Sequence, residues 1–206
     1  MPTPITHIVL GKKIHQHFFS HLDFPSFIVG TSFPDIHSIS QLNREQTHSQ
    51  KIHLKDIDTK DPFLAGFQVH SLVDNIVNCF KQNEILSISS KESVDNRVIL
   101  SIYRDKILYP KINNWPQIRS FFSRVYPQET DMGISVKNIQ EWHAWLQEYF
   151  EKKPLKESLE VFFNTFDPKH SLNEIVKTFE EIDKNPIFKK DILDLTENII
   201  SLVEKE

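Results

Sequence analysis

Asp61-Pro62-Phe63-Leu64-Ala65-Gly66-Phe67-Gln68-Val69-His70-Ser71-Leu72-Val73-Asp74-Asn75-Ile76-Val77 is the stretch that decides the fold class. Asp61 ahead of Pro62 is a helix-start signal, because the carboxylate can accept from the first free amides and proline brings a preset φ to the first helical position. Phe63, Phe67, His70, Asp74 and Val77 then recur at intervals of three and four, and the spacing predicts a helix to about Lys81. Thr3-Pro4 repeats the start signal, followed by Ile5, Ile8, Val9 and Ile14 at helical spacing towards Phe18. Four glycines in 206 residues, with no Asn-Gly or Asp-Gly dipeptide, leave little material for hairpins. The expected fold is all-α, a single-domain helical bundle of about seven to nine helices.

Outward from that stretch, Phe24 to Pro34 reads as a short apolar helix or turn. Residues 35–60 are polar without a sustained period and read as a long loop, a common place for function. Ser89-x-x-Glu92 is a capping box for a helix to about Leu108, and Asn114-Trp115-Pro116 opens another. Ser135 caps a helix carrying Trp142, Trp145 and Phe150. Beyond Pro154 lie Leu159, Phe162, Phe163 and Phe166. Ser171-x-x-Glu174 then starts a helix with Leu172, Ile175, Phe179 and Ile182 inward, and a last helix carries Phe188, Ile192, Leu195, Ile199 and Leu202. These last two stripes suit an antiparallel pair packed on the body. The expected division within the one domain, 1–206, is a helical core in 1–110 that holds any metal site and a helical extension, 111–206, packed on it. The aromatic pairs read as core before they read as a lipid or nucleobase pocket.

Composition narrows the function. With 25% charged and 39% hydrophobic residues the chain has an ordinary globular profile, and at this length roughly 70% of the unfolded surface can be buried without a disulfide. The lone Cys79 excludes a disulfide framework or a cysteine zinc site. A net charge of −4 and the lack of a basic tract argue against long nucleic acid or anionic membrane. Residues 1–110 carry 11 basic and 11 acidic groups and 111–206 carry 13 and 17, so the excess is C-terminal. Met1-Pro2-Thr3-Pro4-Ile5-Thr6-His7 has no signal-peptide pattern, no apolar run approaches the roughly 20 residues of a membrane span, and a cytoplasmic protein is expected. The oligomeric state is not written in the sequence.

Ten histidines stand at 7, 15, 17, 21, 37, 48, 53, 70, 143 and 170, eight of them in the first 70 residues. His70 and Asp74, four apart, share one helix face and can share a metal, although for the pair alone a hydrogen bond on a half-exposed face is the plainer explanation. Gly66, one turn earlier, marks a close approach of another backbone. Phe33-Pro34-Asp35-Ile36 presents an acidic residue at the end of an apolar element, as an ordinary turn also would. Thr47-His48 lies in the polar stretch, where solvation is the plain explanation. His7 interrupts an apolar helix face between Ile5 and Ile8, where a satisfied core histidine is the usual answer.

The order Pro4-Ile5-Thr6-His7, then Phe27-Ile28-Val29-Gly30-x-x-x-Pro34-Asp35, then Thr47-His48, then Gly66-Phe67-x-x-His70-x-x-x-Asp74 resembles the bacterial zinc-dependent phospholipase C-like family. That family belongs to an all-helical superfamily shared with single-strand-specific zinc nucleases. The resemblance covers roughly residues 1–80. It implies that His7, Asp35, His48, His70 and Asp74 are metal ligands, a nitrogen and oxygen set suited to zinc, with manganese or iron possible, as one ion or two. It further implies hydrolysis of a phosphoester by a metal-activated water, and the acidic C-terminal half fits a small phosphoester or lipid headgroup as substrate better than long nucleic acid. The chain departs from the family after Asp74, where Asn75-Ile76-Val77-Asn78-Cys79-Phe80 offers no further histidine for a third metal, and no His-Pro follows Asp35. His37 is the next candidate ligand. Arg104 and Asp105, with Asp95, offer an additional carboxylate or a phosphate-binding cation, with solvent-facing charge as the plain explanation. His15, His17, His21 and His53 read as surface or outlying residues, and His143 and His170 fall outside any motif. Two other classes stand beside this one. A phosphohydrolase built on an adjacent His-Asp pair is opposed by the absence of that dipeptide. A non-catalytic helical metal-binding or protein-interaction domain would keep the scaffold without turnover.

Overall fold

The computed structural model describes residues 3–40, 42–48, 52–88, 94–154, 172–184 and 186–206. Among them are ten α-helices, three 3-10 turns and no strand, so the fold is all-α. Two of the ten, α3 and α7, are single turns, which leaves eight longer helices.

The start signals form helices where the sequence places them. α1 spans Pro4–Phe18, and α4 spans Pro62–Ile88, longer than the expected end near Lys81. Asp61 Oδ1 accepts from the amides of Phe63 at 2.8 Å and Leu64 at 3.0 Å, which supplies partners for two free donors of the first turn of α4. Thr3 occupies the cap position of α1, but its hydroxyl donates to the Ser101 carbonyl at 2.9 Å. The cap of α1 is instead the Asp105 carboxylate, which accepts from the amides of Ile5 and Thr6.

α2 spans Phe24–Ser32, with Asp23 accepting from the Ser26 amide, and it packs across α4 at two glycines. A Cβ on Gly30 would collide with the Phe63 carbonyl, and one on Gly66 with that of Phe27. The close approach read from Gly66 is therefore mutual, and it brings the chain leaving α2 against the first half of α4. Residues 35–60 are not a plain loop: a 3-10 turn over Phe33–Ser38, the one-turn α3 over Arg44–Thr47 and a second 3-10 turn over Leu54–Asp56 fold back on the body. No period announced them, because each turn is too short for an amphipathic stripe, and the buried residues in and around them, among them Ile36, Thr47, Ile52 and Ile57, are scattered singly.

α5 (Val94–Leu108), α6 (Trp115–Phe121), α7 (Pro127–Asp131), α8 (Val136–Tyr149), α9 (Leu172–Asp183) and α10 (Pro186–Val203) complete the described chain. Asn114 and Ser135 cap α6 and α8 through their side chains, as expected. Phe188, Ile192, Leu195 and Ile199 of α10 are buried, and this helix packs against α1, α4 and α5. The boxes at Ser89-x-x-Glu92 and Ser171, the apolar residues 159–166, the Asp95 side chain and His170 lie outside the described residues. No described helix is long and apolar enough to cross a membrane.

Candidate metal centre

Four segments deliver the site. His7 comes from the first turn of α1, Asp35 and His37 from the 3-10 turn after α2, His48 from the residue closing α3, and His70 and Asp74 from successive turns of α4. His7 and His70 are fully buried, Asp74 is 3% exposed, Asp35 7% and His48 9%, so these are interior polar groups. His37 is half-buried at the rim.

Their polar ends converge. His7 Nε2 lies 3.5 Å from Asp74 Oδ1, and His70 Nε2 lies 3.7 Å from Asp35 Oδ1. His48 Nε2 is 3.8 Å from Asp35 Oδ1 and 3.7 Å from Asp74 Oδ2. The rings of His7 and His70 stack with centroids 3.7 Å apart. All five residues that the resemblance implies as ligands are thus brought together, and they fall into two groups with His37. In His7, His70 and Asp74, and again in Asp35, His37 and His48, one donor atom from each residue lies within 4.8 Å of the others. These buried His/Asp groups can hold a metal ion.

The hydrogen bonds behind the rings set their tautomers. His70 Nδ1 lies 2.8 Å from the Thr31 carbonyl, which only accepts, so Nδ1 carries the proton and Nε2 carries a lone pair. Arg44 Nη1, which only donates, lies 3.1 Å from His48 Nε2, so that Nε2 too carries a lone pair and His48 Nδ1 donates to Thr47 Oγ1 at 2.9 Å. The two Nε2 atoms stand 3.0 Å apart. Two lone pairs at that distance repel unless a cation faces both. His7 Nδ1 and Nε2, Asp35 Oδ1 and Asp74 Oδ1 are meanwhile buried without a well-formed hydrogen bond, an arrangement that costs about 1–3 kcal/mol per neutral group and more for a charged one. Donor atoms left bare in the interior and aimed at one another, with outer hydrogen bonds fixing the rings, are what a cation site requires.

Burial also sets the protonation states. It pushes the Asp35 carboxyl up to about 6, with the Asp74 charge adding to the rise and His7, His37 and Arg44 opposing it. It brings His48 down to about 4, helped by Arg44, and takes His70 well below its ordinary value, helped by His7. Burial would raise Asp74 as well, but its contact with His7 and the neighbouring His70, His7 and Arg44 outweigh that and hold it below the usual carboxylate range. Near neutral pH the site therefore offers His48 and His70 as neutral imidazoles beside ionised carboxylates, the forms that bind metal.

Arg44 escaped the sequence reading. Its guanidinium pairs with Asp74 Oδ2, and Nη1 donates to His48 Nε2 at 3.1 Å. The available signal was local: Asn43 and Gln46 form a reciprocal capping box around Arg44 and place it four residues before His48, but a one-turn helix has no period to find.

Asp105 and Arg104 are not solvent-facing charges. Asp105 is fully buried and Arg104 is 1% exposed. Asp105 caps α1: it accepts from the Ile5 amide at 3.2 Å, the Thr6 amide at 2.7 Å, the Thr6 hydroxyl at 2.6 Å and the Tyr149 hydroxyl at 2.9 Å. Burial still raises its carboxyl above the ordinary range. It belongs to neither ligand group; it anchors the helical turn that carries His7. His15 is also buried, with Nε2 3.0 Å from the Leu22 carbonyl, whereas His17, His21 and His53 are exposed. His143 is buried and donates from Nε2 to Glu129 Oε1 at 2.7 Å, and Glu129 Oε2 accepts from the Tyr126 amide at 2.7 Å. No family model, curated protein or solved structure matches this chain.

Proposed function

We propose that the chain is a metal-dependent hydrolase of a phosphoester, phospholipase C-like in its donor set and in the order of its motifs, acting on a small phosphoester or a lipid headgroup. The observation that carries this reading is the convergence of three buried imidazoles and two buried carboxylates, of which His7 Nε2, Asp35 Oδ1 and Asp74 Oδ1 are buried without a well-formed hydrogen bond. His7, His70 and Asp74 would hold one ion, and Asp35, His37 and His48 a second. Zinc suits a nitrogen and oxygen set with no sulfur, as do manganese and iron. Such an ion supplies Lewis acidity and lowers the pKa of water in its coordination sphere. The chain itself orients the donors: the Thr31 carbonyl and the Thr47 hydroxyl turn Nε2 of His70 and His48 inward, and Asp105 fixes the turn that bears His7. A cavity of about 400 Å³ reaches His48 and Asp74 from solvent, enough for a small phosphoester or a headgroup and too small for a long polyanion.

A second reading, a metal-binding scaffold without turnover, draws support from the full burial of His7 and His70, which suits a structural ion as well as a catalytic one. Hydrolysis of bis(p-nitrophenyl) phosphate by the zinc- or manganese-loaded protein separates the two. The expected result is turnover that falls at least about a hundredfold in His70→Ala, beyond the range for an outer-sphere partner, with the helical circular dichroism retained. Metal binding without turnover in the wild-type chain would leave the scaffold reading in its place.

A further inference from the structure

We propose that Arg44 is an exchangeable cation, which neutralises the site when no metal is bound and, once released, binds the anionic phosphoryl group of the substrate in the adjoining cavity. The inference rests on the metal-dependent reading above and adds a residue that neither the motifs nor the ligand set contains. Arg44 makes its two contacts with Asp74 Oδ2 and His48 Nε2, both donor atoms of proposed ligands. A carboxylate oxygen can be shared between guanidinium and metal, but a single imidazole lone pair cannot, so Arg44 must leave His48 Nε2 whenever that atom ligates an ion. The elements permit this. The Arg44 side chain is 41% exposed, while that of Asp74 is 4% exposed, so the arginine reaches inward from the rim and the carboxylate stays fixed.

The released guanidinium has somewhere to go. The cavity of about 400 Å³ is lined by Arg44 and by Ser71, Asn75 and Asn78 of α4, beside His48 and Asp74. These three lie on the α4 face that also carries Asp74, and they give the wall hydroxyl and amide groups without a second buried charge. Glu45 is the further acidic residue at the mouth, and it is exposed, so its repulsion of an anion is screened by solvent. A planar fork beside amide donors is suited to two oxygens of a phosphoryl group. The same arginine would thus answer to both requirements of the reaction, holding the carboxylate before an ion arrives and the substrate afterwards.

The test is zinc affinity, measured by competition with a chromophoric chelator, and anion affinity of the zinc-loaded protein, measured by calorimetry. Arg44→Gln is expected to bind zinc about tenfold tighter than wild type or more, the fold-change equivalent to one charge-assisted hydrogen bond. Arg44→Lys keeps the charge but loses the fork and is expected to fall between the two. Inorganic phosphate and glycerophosphocholine serve as anion probes, and whichever the wild-type protein holds tighter tells a free phosphate from a lipid headgroup. That probe is expected to bind about tenfold weaker or worse in Arg44→Gln. Zinc affinity unchanged or weaker in Arg44→Gln, equal in Arg44→Lys and wild type, or anion affinity indifferent to the substitution would overturn the exchange while leaving the metal centre standing. No zinc binding by any variant, wild type included, would remove both together.

Discussion

Two buried clusters of histidine and carboxylate lie among the described residues, and they are built to opposite rules. In the C-terminal half, Glu129 spends one oxygen on His143 at 2.7 Å and the other on the Tyr126 amide at 2.7 Å. In the N-terminal half, His7, Asp35 and Asp74 turn polar atoms inward that have no well-formed hydrogen bond, and two imidazole lone pairs face each other. The same residue types form a closed pair in one place and an open set in the other. A histidine that stabilises a fold satisfies its carboxylate directly, whereas one kept for an ion is held from behind, by the Thr31 carbonyl or the Thr47 hydroxyl, so that its Nε2 lone pair faces the cluster, where Arg44 meets that of His48.

The largest way to sharpen that contrast is to cut the closed pair. Glu129→Ala leaves His143 and the Tyr126 amide buried without their acceptor and is expected to lower unfolding stability by about 4 kcal/mol in a urea titration. Metal content is expected to stay at the wild-type stoichiometry, and a parallel loss of metal would break the separation of the two clusters.

In the open set the sign reverses. The Asp35 carboxyl, pushed up to about 6 in the fold, takes up its proton more readily there than in the unfolded chain. Its contribution to stability is therefore fully present below the unfolded carboxylate range near 4 and is lost as pH rises through about 6. In metal-free protein Asp35→Asn, which cannot ionise, is expected to be more stable than wild type by roughly 3 kcal/mol at pH 7 to 8 and to lose that advantage near pH 4. Thermal melts across that range check it. Metal affinity of the wild-type chain is expected to fall as acidification takes Asp35 through about 6 and then His48 through about 4, because protonated groups are poor ligands.

The smallest effect tests the support from behind. Thr47→Val removes the hydroxyl that accepts from His48 Nδ1 and frees the ring to turn. Metal affinity is expected to fall about tenfold, with a loss of stability of about 1 kcal/mol for the unpaired Nδ1.

How much of this was legible follows the same division. The helices with a proline start or a polar cap, at Pro4, Pro62, Trp115 and Val136, could be read because their signals are local. The turns between 33 and 56 could not, because they are too short for a period and the buried side chains in and around them, among them Ile36, Thr47, Ile52 and Ile57, reach the core singly. Arg44 was hidden for the same reason. Asp105 was misread because an acidic residue beside an arginine on a helix ordinarily faces water, and its real partners, the amides of Ile5 and Thr6, lie about a hundred residues away in sequence. The five proposed ligands could be named in advance through the order of their motifs, but their division into two groups, with His37 in the second, needed three-dimensional contact.

The most direct test of the open cluster is elemental analysis of the full chain, purified without a chelator or a histidine tag, beside His70→Ala prepared in the same way. One or two transition-metal ions per wild-type chain are expected, with loss of bound metal in the variant. A wild-type chain that carries no transition metal, and takes up none on dialysis against zinc or manganese, would contradict the metal centre outright.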